Sequence, residues 1–274
     1  MFEPLNPRIR DWRGQRVWLV GASSGIGAAL ARELFDRGAR VAVSARRAGA
    51  LEALVPDAAR ERALVVPMDV TDAASVAAAH RQVLAQWGGI DLTIWVAGTY
   101  APLRAQEFRL DDALRVVRTN LDGVLNGLAT LLPVIRGERR GGVALVSSVA
   151  GYRGLPKSLV YGPTKAALNN LTESLYLDLH PLGVGVYLIN PGFVRTPLTD
   201  LNDFSMPALI TAEDAARQIL KGFARGAFEI HFPGRFTRTM KALQLLPHRL
   251  YFALVRRLTR SDRGAEGQAG GALR

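Results

Sequence analysis

The chain has 274 residues, 49% of them hydrophobic, which is enough for one large α/β core or two small ones. It has no cysteine, which excludes disulfides, thiolate metal sites and a cysteine nucleophile, and its histidines (His80, His180, His231, His248) show no metal-ligand spacing. The net charge is +11, but residues 231–274 hold nine Arg/Lys and two Asp/Glu, so +7 sits in this tail; the body is mildly basic and nucleic-acid binding is not expected.

In chain order, residues 1–15 form a polar, proline-containing arm without the apolar core of a signal peptide. Between residues 16 and 232, β-like runs alternate with helical patterns. Strands are predicted at Arg16–Val20, Arg40–Ala45, Ala63–Met68, Leu92–Val96, Gly142–Ser147, Val184–Ile189 and Phe228–His231. Several are nearly continuous apolar runs, as strands buried on both faces require. Helices are predicted at Gly25–Arg37, Asp72–Trp87, Leu110–Ile135, Tyr161–Leu179 and Ala212–Arg225. This alternation argues for a single α/β domain, a doubly wound parallel sheet of about seven strands with helices on both faces.

Residues 233–260 read as a basic amphipathic extension of two short helices broken at Pro247. Met240, Leu243 and Leu246, then Leu250, Leu254 and Leu258, form apolar stripes flanked by arginine. Such helices lie on an anionic membrane surface, here through residues 236–260, or pack on the body or a second subunit. Residues 261–274 are Gly/Ala-rich and expected to be disordered. No apolar run reaches the length of a membrane span, and a soluble, cytoplasmic protein, peripheral at most, is expected.

After the first predicted strand comes Gly21-Ala22-Ser23-Ser24-Gly25-Ile26-Gly27, then a helical pattern. Strand, glycine-rich turn and helix N-terminus together form a cradle for a dinucleotide diphosphate, in a Rossmann-type arrangement. The second strand ends in Ala45-Arg46-Arg47, with no acid before Glu52. An acid there would bind the adenosine ribose and repel a 2′-phosphate, whereas two guanidiniums suit that phosphate, so NADP(H) is preferred over NAD(H). The alternative is that both arginines only open a solvated helix. Asp69-Val70, after the third strand, are placed to meet the adenine; as a bland alternative Asp69 is a turn or cap residue.

Tyr161 and Lys165 are one helical turn apart and project from one face. An ammonium beside a phenol favours the phenolate, which makes Tyr161 a candidate proton donor and acceptor with its pKa lowered by Lys165. Position 165 is lysine although nearly all other basic residues are arginine. A compact ammonium approaches a phenol and a sugar hydroxyl as a guanidinium fork does not.

Gly21-x-x-x-Gly25-Ile26-Gly27, Asp69-Val70, Ala97-Gly98, Asn120, Ser148, Tyr161-x-x-x-Lys165 and Pro191-Gly192-x-Val194-x-Thr196-Pro197 occur in an order that resembles the short-chain dehydrogenase/reductase family across residues 14–232. The resemblance implies reversible hydride transfer between a nicotinamide and a carbonyl or alcohol carbon. It implies that Tyr161 protonates the nascent alkoxide, Lys165 holds the nicotinamide ribose, Ser148 binds the substrate oxygen and Asn120 holds a water that relays protons to Lys165. It places Pro191-Gly192 beside the nicotinamide and Thr196 at its carboxamide or the diphosphate. Ser147 is the rival to Ser148, and Asn126 is set aside in favour of Asn120. Tyr176 and Asp178 are read as surface or interface residues.

Two positions depart from the family pattern. Val20 stands where threonine is usual, and Trp95-Val96 replace Asn-Asn before Ala97-Gly98. Residues 198–210 occupy the place of the cover over the substrate, and Leu198, Leu201, Phe204, Met206 and Leu209 make it apolar. The expected substrate is therefore a small hydrophobic carbonyl or alcohol. Helices Leu110–Ile135 and Tyr161–Leu179 are the family's usual pairing surfaces, which implies a homodimer or homotetramer. A non-catalytic NADP(H)-binding sensor or interaction module on the same fold is the alternative.

Overall fold

A computed structural model of the chain describes residues 3–201 and 206–257. The tail expected to be disordered, 261–274, the end of the extension, 258–260, and part of the substrate cover, 202–205 with Phe204, lie outside the described residues.

Seven parallel strands form one sheet: β1 (Arg16–Val20), β2 (Arg40–Ser44), β3 (Ala63–Val65), β4 (Leu92–Trp95), β5 (Gly142–Val146), β6 (Gly185–Pro191) and β7 (Glu229–Phe232). Their order is β3-β2-β1-β4-β5-β6-β7. The strand order reverses between β1 and β4, which opens a crevice beyond their C-terminal ends. Alternate residues of each strand serve opposite faces. Val17 and Leu19 join the core under α1 (Gly25–Asp36) and α7 (Ala212–Arg225), with Leu30, Leu34, Ile219 and Phe223. Trp18 and Val20 join the core under α3 (Ala73–Trp87), α5 (Gly123–Glu138) and α6 (Tyr161–Leu179), with Val83, Leu128 and Leu168. Each such leucine, fully buried, contributes about 2–3 kcal/mol.

The helix expected over Leu110–Ile135 is three segments: α4 (Leu110–Val117), a π-helical turn Arg118–Asp122, and α5. The helical periodicity runs through unbroken, so the sequence pattern does not register the wide turn, which carries Asn120. The expected strand ends at Ala45, Met68, Val96 and Ser147 fall just outside β2–β5, although the Met68, Val96 and Ser147 N–H groups still donate to the carbonyls of Ala45, Val20 and Ile189 on the neighbouring chain segments. A short helix α2 (Ala48–Glu52) follows Arg47.

The N-terminal arm is built into the core. Trp12 is buried edge-on against Phe223. Asn6 lies beside β6: its Nδ2 donates to the Val186 carbonyl (2.7 Å), and its Oδ1 accepts from the Val186 N–H (2.9 Å). Tyr176, partly exposed at the surface, donates to the Leu5 carbonyl (2.9 Å) and so helps to hold this arm.

The extension forms α8 (Gly234–Gln244), a break at 245–247 and a helical run over 248–257. Much of it packs on the body. Arg153 donates to the carbonyls of Leu243 and Leu246 (both 2.7 Å) at the end of α8 and just beyond it. Tyr251 is buried and donates to the Gly154 carbonyl (2.6 Å), with Arg153 stacked over its ring.

Candidate active site

The crevice is a cleft of about 740 Å³. The glycine-rich turn forms one end. Gly21 has φ +93° and donates its N–H to the Ser44 carbonyl (2.7 Å); a side chain there would also meet the backbone of Ala97. Ser24 is the N-cap of α1 but makes no capping bond, so the first N–H groups of the helix are not plugged by its side chain. Ser23, Ser24, Gly25 and Ile26 line the cleft, while Gly27 lies behind it, packed under the Gly21 carbonyl. Open amides, a positive helix end and glycine backbone suit a diphosphate. The residues present thus fit a dinucleotide.

Arg46 and Arg47 are exposed on the cleft wall at the end of β2. Asp69 faces the cleft, and its carboxylate accepts from the Thr71 N–H (2.9 Å) and hydroxyl (2.8 Å). The Thr71 amide, with help from the Arg46 charge, holds its carboxyl below the usual range. Asp72 separately caps α3 through the Ala74 N–H. Val70 also lines the cleft, and its carbonyl accepts from Asn126 Nδ2 (3.0 Å). Asn126 therefore supports the wall from behind, a role its sequence position does not reveal.

Tyr161, Ser148 and Lys165 line the same cleft. Tyr161 opens α6, and Ser148 caps the short turn Val149–Gly151, its Oγ accepting from the Ala150 N–H (3.1 Å). The Ser148 side chain lines the same cleft as Tyr161 and acts to lower the phenol's pKa. Ser147 is buried, and its Oγ donates to the Lys165 carbonyl (2.7 Å), fixing β5 to α6. Lys165 is 3% exposed; its Nζ donates to the Val146 carbonyl (2.9 Å) and lies 5.7 Å from the centre of the Tyr161 ring. Two of its three hydrogens remain for other acceptors.

The electrostatics differ from the expectation of a lowered Tyr161 pKa. Burial pushes the phenol up, and the Ser148 hydroxyl opposes that shift only in part. Burial also pulls Lys165 down to about 8. The ammonium donates to the Val146 carbonyl, and burial outweighs the side chain that acts to lower the Tyr161 pKa.

Asn120 is fully buried behind the cleft lining. Its Oδ1 accepts from the Thr99 N–H (2.7 Å), and its Nδ2 donates to the Thr99 carbonyl (2.9 Å) and the Thr164 hydroxyl (3.2 Å). It thus locks the Ala97–Gly98–Thr99 segment to α6, and one Oδ1 lone pair remains for a water. Pro191, Gly192, Val194 and Thr196 line the cleft with Ala97 and Gly98. The sequence reading missed Thr99, Arg115 and Thr119 on the same wall; Arg115 is held by Asp112 (2.7 Å). Among the described residues, no group of three or more acids or histidines could hold a metal.

A family model described as short chain dehydrogenase matches residues 15–204. The chain belongs to the short-chain dehydrogenase/reductase family. An oxidoreductase of Myxococcus xanthus (strain DK1622), described as uncharacterized, is 37% identical over 242 residues, 88% of this chain and 96% of that protein. A short-chain dehydrogenase/reductase from Burkholderia phymatum, solved in complex with NAD, has a TM-score of 0.77 and 25% identity, with 85% of this chain and 94% of that one covered. A short-chain dehydrogenase from Sphingobium yanoikuyae, solved in complex with NADPH, shares the fold at a TM-score of 0.73 and 24% identity, covering 95% of this chain and 96% of that one. The dehydrogenase/reductase is therefore an oxidoreductase by family. The share of the chain covered in that last likeness takes in part of the C-terminal extension.

Proposed function

We propose that this dehydrogenase/reductase reversibly reduces a carbonyl to an alcohol on a hydrophobic substrate, using NADP(H), with Tyr161 as general acid and base. The observation that carries this reading is that Ser148, Tyr161 and Lys165 line the same cleft as the glycine turn, with the Lys165 ammonium 5.7 Å from the Tyr161 ring centre. A non-catalytic binding module needs no such group.

The nicotinamide would supply or accept the hydride. The protein's residues do the rest. Ser148 and Tyr161, which line the same cleft, bind the substrate oxygen together. During reduction Tyr161 releases its proton to that oxygen as charge develops on it. A protonated Lys165, its ammonium 5.7 Å from the Tyr161 ring centre, then stabilises the phenolate, while Asn120 keeps the Thr99 segment against α6. Exposed Arg46 and Arg47, with no acid beside them on the strand end, support a 2′-phosphate and thus NADP(H). Leu198 and Leu201 line the cleft and support an apolar substrate.

NADPH oxidation with a panel of apolar ketones and aldehydes tests the reading. Wild type should turn over, and Tyr161→Phe should bind NADPH but reduce nothing. Turnover that survives this substitution rejects the assigned acid. Replacing Arg46 and Arg47 by aspartate should weaken NADPH binding while sparing NADH; equal affinities would remove the 2′-phosphate assignment.

Exposed Leu125 on α5 and Leu177 on α6 support pairing of copies into a homodimer or homotetramer, which light scattering measures. Exposed Leu245, Leu250 and Phe252 beside Arg249, Arg256 and Arg257 support peripheral contact with an anionic bilayer. Vesicle flotation with and without residues 236–274 tests it. Among the described residues, no helix is long and apolar enough to cross a membrane.

A further inference from the structure

Glu229 opens β7, and three elements converge on its carboxylate. Tyr152 donates its hydroxyl, Asn190 donates Nδ2 (2.9 Å) and Lys241 donates its ammonium. Each donor belongs to a different part of the molecule. Tyr152 closes the turn that Ser148 opens, its N–H donating to the Val149 carbonyl (3.1 Å). Asn190 directly precedes Pro191-Gly192 on β6, and Lys241 belongs to α8. The Asn190 Oδ1 is buried without a partner among the described residues, so its one bond, to Glu229, sets the orientation of the amide.

Other contacts reinforce the same junction. Gln244 at the end of α8 donates Nε2 to the Tyr152 carbonyl (2.8 Å). Phe236 at the start of α8 packs on Phe193 with ring centres 5.6 Å apart and fills the space a side chain at Gly192 would need. The α8 helix therefore touches both the turn that carries Ser148 and the segment that follows Asn190. Burial opposes ionisation of Glu229, and its three donors outweigh that effect, so the carboxyl titrates below its ordinary range. The junction holds an ionised carboxylate bound by three fixed donors, an arrangement that loses its geometry when one partner is removed.

We infer that Glu229 is a positioning residue: its carboxylate joins the Ser148 turn, the Pro191–Gly192 strand end and α8 into one unit, so that the C-terminal extension is a working part of the active site. The inference rests on the carbonyl-reductase reading for its kinetic consequence, but its structural consequence is measured without turnover. Glu229 does not contact the reacting atoms. It fixes Ser148 relative to the strand end beside which the nicotinamide is proposed to lie.

The test uses the full chain with Glu229→Gln, Lys241→Met and Lys241→Arg. Hydrogen exchange is followed in peptides spanning 149–158, 191–196, 234–244 and, as a distant control, 21–30. In Glu229→Gln, exchange should quicken in the first three and not in the control. The kcat/KM for an apolar ketone should fall on the order of tenfold to a hundredfold, with the loss in kcat as well as KM. NADPH affinity should stay within about threefold, because the glycine turn is untouched. Lys241→Met should follow in the same direction, and Lys241→Arg should restore most of the activity. A purely structural role would lower the melting temperature and leave kcat/KM unchanged well below it; that result overturns the inference. Faster exchange confined to 234–244 overturns it too. If wild type reduces no carbonyl, the reductase reading fails, and the exchange experiment still decides whether Glu229 couples the three segments.

Discussion

Gly127 on α5 leaves the space that the Trp95 indole on β4 occupies: a Cβ at position 127 would lie 2.3 Å from the Trp95 Cζ3. Trp95 is 2% exposed and stands edge-on to Trp18, 6.2 Å between ring centres. The departure from the family pattern at position 95 is thus matched by a glycine on the facing helix.

Gly127→Ala should therefore destabilise the protein although alanine favours helices. The rigid indole is fixed between β4 and α5, and overpacking of this kind costs about 1–3 kcal/mol. Urea unfolding measures the loss. Adding Trp95→Leu should recover part of it, and strictly additive effects of the two changes would refute the contact as the cause.

Ser147→Ala and Ser148→Ala separate two neighbouring hydroxyls. Ser147 Oγ serves the Lys165 carbonyl, so its loss should cost about 1 kcal/mol of stability with turnover largely kept. Ser148 lines the cleft with Tyr161 and caps the following turn through the Ala150 N–H, so its loss should reduce kcat by about a hundredfold or more while also costing about 1 kcal/mol of stability. The reverse pattern would move the oxygen-binding role to Ser147.

Lys165 makes the cofactor-free protein's stability depend on alkaline pH. Burial lowers its pKa from 10.5 to about 8. Below pH 8 it is protonated both folded and unfolded, and the folded state bears the penalty of a buried charge, about 3 kcal/mol. Between pH 8 and 10.5 the unfolded chain binds more protons, so this contribution makes stability rise with pH, and above 10.5 the effect is complete. Lys165→Met removes the penalty but leaves the Val146 carbonyl without its donor, so at pH 7 it should gain about 2 kcal/mol while losing activity. Its advantage over wild type should shrink from pH 8 to 10.5. An advantage independent of pH would show that Lys165 is not the titrating group.

Asn6→Ala should loosen the N-terminal arm from β6. The β6–β7 ladder begins only at Leu188, so at Val186 the Asn6 amide serves both backbone groups in place of a strand. Leaving them unpaired costs about 2–3 kcal/mol. Thermal unfolding should register the loss, with faster exchange of the Val186 amide. An unchanged exchange rate there would refute the strand-like role.

The strands, the glycine turn and the helix that carries Tyr161 and Lys165 are legible in the sequence because each depends on short-range periodicity and local turn chemistry. The wide turn around Asn120 is not legible, since Leu110–Glu138 keeps one helical pattern through it. Asn126 reads as a stray polar residue until α5 is placed against Val70. The direction of the Tyr161 and Lys165 shifts also depends on burial, which residue spacing does not convey.

By itself the sequence determined the parallel α/β architecture, the dinucleotide turn and the family's set of polar groups at their spacings. Only the tertiary structure decided what those groups touch. Asn6 reaches Val186 across 180 positions, and Tyr251 reaches Gly154 across 97. Glu229 gathers donors from three elements that share no local pattern. Periodicity records which face of an element is buried, but a buried polar group takes whatever partner the packed sheet and helices bring within bonding distance.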